Sequence, residues 1–142
     1  MIKLSKDTES AIRAEGEKAY PNECCGILLG ELEKDNVRRI EELIPIINAR
    51  EQEEQYHRFR IEPDDFMKAE QKARKQGMEV LGFYHSHPDH PAKPSEYDRE
   101  YALPFYAYPI LEVSNGKALA FHSWELSKDR LKFLEETIAV ME

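Results

Sequence analysis

The chain has 142 residues, 41% of them hydrophobic and 34% charged, with a net charge of −8. That length supports one domain with its own core, expected to run over residues 1–142. The acidic balance repels phosphate and speaks against a nucleic-acid binder, and no apolar run approaches the ~20 residues of a membrane span.

Met1 to Asp7 lacks the apolar stretch of a secretory leader, so the expected compartment is the cytoplasm. Ser5 reads as the N-cap of a helix from Lys6 to Tyr20, with Asp7 in its first turn and Pro21 beyond its end. Cys24 to Gly30 is an apolar run of strand length, buried on both faces. Its adjacent cysteines are poorly placed to bridge each other, and two cysteines make neither a disulfide framework nor a paired-cysteine zinc knuckle. Buried reduced thiols are the simpler reading, with a thiol lining an active site as the alternative.

Asp35-Asn36 turns into a second strand, Val37 to about Ile47. Asn48 to Gln55 is polar and reads as a loop; its acidic run Glu51 to Glu54 is either a solvated segment or a flap beside a cleft. Tyr56 to Ile61 reads as a third strand. Pro63 opens a helix that Gly77 closes. Glu79 to His85 is a strand, and the three prolines of Pro88 to Pro94 make a rigid loop. Ser95 to about Ala102 is a short helix. Phe105 to Val113 and Lys117 to Leu126 form a hairpin at Asn115-Gly116. Ser127 then caps a C-terminal helix with Leu131, Leu134 and Ile138 on one face. The order αβββαβαββα predicts a mixed α/β (α+β) fold, a mostly antiparallel sheet flanked by helices.

The chemistry concentrates in Tyr84-His85-Ser86-His87-Pro88 and Ser95-Glu96-Tyr97-Asp98. Residues i and i+2 of a strand share a face, so His85 and His87 can converge on one ion. Asp98 adds an oxygen, and two nitrogens plus one oxygen leave a tetrahedral zinc position open for water, which means catalysis rather than structure. Ser95-x-x-Asp98 is also a helix-start pattern, and the two readings are compatible because a capped helix would fix the carboxylate.

These residues, at this spacing, resemble the metalloprotease motif of the JAMM (MPN+) family. The resemblance extends upstream to Pro21-Asn22-Glu23-Cys24-Cys25-Gly26, which places Glu23 at the family's glutamate, and downstream to Ser123-Trp124. It implies an MPN/JAB1 fold, related to that of cytidine deaminases, with His85, His87 and Asp98 as ligands of a Zn2+ ion. It also implies Glu23 as general base and Ser95 as a polar helper at the oxyanion. The family's active members cleave after the C-terminal glycine of ubiquitin or ubiquitin-like proteins. The short chain, without room for long insertions, looks most like the prokaryotic branch, some of whose members act on sulfur-carrier proteins and release cysteine or a C-terminal extension. The implied partner is therefore the C-terminal tail of a ubiquitin-like or sulfur-carrier protein.

A catalytically silent MPN scaffold is the alternative, and the intact residue set argues against it. A zinc deaminase would need His-x-Glu and Pro-Cys-x-x-Cys, which the chain lacks. His57, His90 and His122 fall outside the motif and read as surface or core histidines. Tyr97, Tyr101, Phe105, Tyr106 and Tyr108 read as core packing, with the rim of a substrate cleft as the alternative.

Overall fold

A computed structural model describes residues 1–46 and 61–142. Strict alternation opens the fold: Ile2 and Leu4 are buried while Lys3 and Ser5 are only partly covered, so Ile2–Ser5 forms a strand, β1, that the sequence reading passed over. The first helix, α1 (Lys6–Ala19), starts as expected, with Ser5 Oγ accepting the Thr8 N–H at 3.0 Å. Strand β2 (Cys25–Glu33) turns through Asp35 and Asn36, both at positive φ, into β3 (Val37–Ile46). The expected loop 48–55 with its acidic run, His57, and all but the last residue of the strand expected over 56–61 lie outside the described residues.

Helix α2 (Pro63–Lys75) carries its proline in the first turn, and Gly77 follows at φ +69°. Strand β4 (Glu79–Pro88) runs through the whole His-Ser-His motif, three residues further than expected. Helix α3 (Glu96–Tyr101) is followed by β5 (Ala107–Ser114) and β6 (Lys117–Leu126), joined by Asn115 and Gly116, both at positive φ as a tight hairpin requires. Phe105, expected in β5, lies before it at φ +81° and is 84% exposed.

The expected C-terminal helix is not there. Residues 127–132 form a hydrogen-bonded turn, and the chain continues as β7 (Phe133–Glu136) and β8 (Ile138–Met141). Ser127 does cap, but it caps the turn: its Oγ accepts the Lys132 N–H and donates to Asp129. The three-and-four spacing of Leu131, Leu134 and Ile138 imitated a helix stripe, yet Leu131 and Leu134 stand exposed. The β-branched Thr137, Ile138 and Val140 instead favour extended backbone, with β6 available as partner before them and β1 alongside β8.

The eight strands follow the order β7-β6-β5-β4-β2-β3-β1-β8. Among the described residues four pairings are antiparallel and three parallel, a mixed sheet as expected. Helix α1 covers one face over Ile2, Leu4, Leu28, Tyr84 and Leu111; α2 covers the other over Ile27, Leu29, Phe83 and Tyr108. Each fully buried aliphatic side chain in these layers contributes about 1.5–3 kcal/mol. The central strands come very close: a Cβ on Gly82 would stand 2.2 Å from the Ala107 carbonyl oxygen.

Strands β7 and β8 are separated by Thr137 alone, yet they occupy opposite ends of the strand order. The sheet therefore curls until its edges meet along residues 133–141. Arg38, 3% exposed at its side chain, sits at this seam with Glu136 at 3.4 Å, Glu125 at 3.3 Å and the Phe105 carbonyl. Ser123 Oγ donates to Glu136 at 3.0 Å, and the N-terminal amine pairs with the same carboxylate at 2.9 Å. Among the described residues no helix is long and apolar enough to cross a membrane.

Candidate metal centre

The strand period sets His85 and His87 on the α2 face of β4 and turns Ser86 toward α1. The imidazole Nε2 atoms lie 3.1 Å apart. Asp98 enters from the first turn of α3, its Oδ1 3.3 Å from His85 Nε2 and its Oδ2 3.2 Å from His87 Nε2. All three donor atoms fall within 4.8 Å of one another, and both histidines are buried. Two imidazole nitrogens and a carboxylate facing one point form a donor set suited to a divalent cation.

Two of the three ligand candidates, His87 and Asp98, are held by hydrogen bonds from their own neighbourhood. The Pro91 carbonyl can only accept, so His87 Nδ1 carries the hydrogen of the 2.9 Å bond between them, which orients the ring with Nε2 facing Asp98. The Asp98 carboxylate accepts the Ser95 N–H at 2.8 Å while Ser95 Oγ accepts the Asp98 N–H at 3.1 Å, a complete capping box. The cap reading and the ligand reading of Ser95-x-x-Asp98 thus hold together. Burial works to raise the Asp98 carboxyl, but the charge and hydrogen bonds of His85 and His87 overcome it and hold the group well below the usual carboxylate range. Burial lowers His85, with the charge and hydrogen bond of Asp98 pulling the other way.

Glu23 precedes β2 and is 6% exposed. Cys25 pairs with His85, so continuing that register sets Glu23 level with His87, on the same face of the sheet. Ser95 lies at the exposed start of α3. The sequence-predicted residues come from three places: the approach to β2, the end of β4 and the start of α3, of which His85, His87 and Asp98 converge. Cys24 and Cys25 are free and buried; burial above all pushes the Cys24 thiol up to about 12, which keeps it protonated and fits the simpler reading of the pair. His90 and His122 are exposed, the latter 3.0 Å from Glu135.

A cleft of about 590 Å³ opens from His85 and Asp98 and is walled by Phe66, Phe83, Tyr97, Tyr101, Tyr108 and Phe133. Three of the five expected aromatics, Tyr97, Tyr101 and Tyr108, line it, whereas Tyr106 packs edge-on against Phe66 and Phe83. Sequence reasoning missed Phe66, Phe83 and Phe133. Phe83 carried a signal, since it stands two residues before His85 and so shares its face. The others come from α2 and β7, whose placement no local pattern announces. Trp124 was also missed as a support: its indole N–H donates to the Ala92 carbonyl at 3.0 Å and pins the loop that presents Pro91 to His87.

A curled mixed sheet between two helices, with a His-His-Asp cradle at the end of its central strand, defines the JAB/MPN class. The family described as prokaryotic homologs of the JAB domain matches residues 5–127, and the chain belongs to it. It is 30% identical to a desampylase from Haloferax volcanii over 128 residues, 87% of each chain. A solution structure of a protein from Desulfitobacterium hafniense is 33% identical with a TM-score of 0.86, covering 100% of this chain and 94% of that one. A JAB1/MPN domain protein from Archaeoglobus fulgidus shares the fold at a TM-score of 0.60 and 22% identity, over 100% and 98% of the two chains.

Proposed function

We propose that this chain is a zinc-dependent metallopeptidase, a single catalytic domain over residues 1–142 working in the cytoplasm. In this reading it hydrolyses the bond after the C-terminal glycine of a ubiquitin-like or sulfur-carrier protein, releasing cysteine or a C-terminal extension. The observation that carries the reading is the convergence of His85, His87 and Asp98 at the head of an aromatic cleft. The likeness to a desampylase supports a hydrolase acting on a ubiquitin-like modifier.

His85, His87 and Asp98 would hold the ion. When bound, zinc supplies Lewis acidity that brings the pKa of water at its open position toward about 7. Glu23 is the general base: its carboxylate accepts the proton of the attacking water and passes it to the leaving amine. The Ser95 oxygen already accepts from the Asp98 N–H, which leaves its hydrogen to donate to the oxyanion of the tetrahedral intermediate. No covalent acyl-enzyme is required. The cleft holds the extended tail ahead of the scissile bond, against Tyr97, Tyr101 and Phe133.

The test is intact-mass analysis against a panel of ubiquitin-like carriers extended by cysteine or a short peptide, with zinc measured on the same samples. The parent should hold one zinc and shorten at least one carrier at its glycine. Glu23→Gln should keep zinc and lose hydrolysis, and His87→Ala should lose both. Full activity in Glu23→Gln would remove Glu23 as the base, and a parent that gains no zinc when it is supplied would remove the metallopeptidase reading.

A further inference from the structure

Six polar or charged side chains are buried among the described residues: Glu23, Arg38, His85, Ser86, His87 and Ser123. Arg38 and Ser123 serve the seam, while Glu23 and the two histidines belong to the proposed site. Ser86 remains, fully buried between the histidines in sequence but turned to the opposite face.

Its hydrogen bonding is unusual for a strand. In a regular antiparallel pair Cys24 and Ser86 would exchange two backbone bonds. One is of that kind, Ser86 N–H to the Cys24 carbonyl at 3.1 Å. The Cys24 N–H, however, donates to Ser86 Oγ at 2.8 Å. A side chain thus takes the acceptor's place at the last rung before β2 leaves the ladder, one residue from Glu23.

We infer that Ser86 is a positioning residue whose hydroxyl fixes the Glu23–Cys24 peptide and so aims the Glu23 carboxylate at the His85, His87 and Asp98 centre. The inference rests on Glu23 being the base. Removing the hydroxyl leaves a buried N–H without its acceptor, and the peptide regains rotational freedom where the base joins the sheet; His87 and Asp98, held from the other face by Pro91 and Ser95, keep their places.

Three variants test it: Ser86→Ala, Ser86→Thr and Glu23→Gln. Ser86→Ala should keep one zinc per chain and the parent KM on a cleavable carrier while kcat falls roughly 10–100-fold, the usual scale for a group one step behind the reacting atoms. Ser86→Thr, which retains the hydroxyl, should recover most of that loss. In the zinc-free protein, hydrogen exchange at the Cys24 amide should speed by roughly tenfold or more in Ser86→Ala and return in Ser86→Thr. Should Ser86→Ala fail to fold, Ser86→Cys, similar in size but a poor acceptor, carries the same expectations. An unchanged kcat, a loss of zinc alongside kcat, or no recovery with threonine would overturn the inference. Full activity in Glu23→Gln would overturn the base assignment itself, whereas an inactive Glu23→Gln beside a fully active Ser86→Ala would sink this inference alone.

Discussion

Replacing Trp124 by phenylalanine removes one hydrogen bond and reports on the metal centre from a distance. The indole donates to the Ala92 carbonyl at 3.0 Å, and Ala92 is 2% exposed. A buried carbonyl deprived of its donor costs about 1–3 kcal/mol. At about 3–4 °C per kcal/mol for a domain of this size, a mid-range cost lowers Tm by about 6–8 °C. The same loosening reaches His87, because the neighbouring Pro91 carbonyl holds its Nδ1–H at 2.9 Å. A ring released from its orienting acceptor binds metal about 10–100-fold more weakly. That is about 1.4–2.8 kcal/mol, which fits inside the energy the broken bond makes available. Calorimetric melting of the metal-free protein and competition for zinc against a chelator measure the two effects separately. Zinc affinity at the parent level in a protein whose Tm has fallen would refute the link from Trp124 through the loop to His87.

Two further substitutions probe the scaffold. Arg38→Met strands the Glu136 carboxylate, 7% exposed at its side chain, and should destabilise by about 3–5 kcal/mol in a denaturant melt. The N-terminal amine on the same carboxylate favours the lower end, and pairing the change with Glu136→Gln should restore a large part; no recovery in the double variant would discount the seam network. Glu15 lies above its ordinary value of 4.5, chiefly because burial disfavours its charge, with the Tyr84 hydroxyl pulling the other way. A carboxyl raised in the folded state stabilises below its unfolded pKa and loses that contribution as pH rises through the folded value. Glu15→Gln should therefore gain on the parent as pH rises from about 4.5 to 7. Melts at several pH values check this, and a difference independent of pH would contradict it.

How much could be read ahead depended on whether the deciding contacts were local. Ser5, Pro63, Ser95 and Asn115-Gly116 act within one turn of themselves, and each stands where it was expected. His85, His87 and Asp98 were legible because a strand period and a helix cap are both short-range rules. The last strands were not, because Phe133 to Met141 takes its conformation from β6 and β1, far off in the chain. Its apolar residues happened to fit a helical stripe as well. The cleft wall was hidden for the same reason: Phe66 and Phe133 meet only once α2 and β7 are docked. Cys24's side-chain acceptor was equally invisible, since nothing in His-Ser-His announces which way its middle hydroxyl turns.

The seam along residues 133–141 has a consequence for the order in which this molecule comes together during synthesis. Residues 23 to 98, which carry every member of the proposed catalytic set, leave the ribosome well before the segment that borders both β6 and β1. Until that segment arrives, the nascent sheet exposes two unprotected edges, each a template for pairing with another chain. One later stretch of nine residues then pairs with both edges. The chemistry of this fold is encoded first, and the segment that pairs with both of those edges follows it.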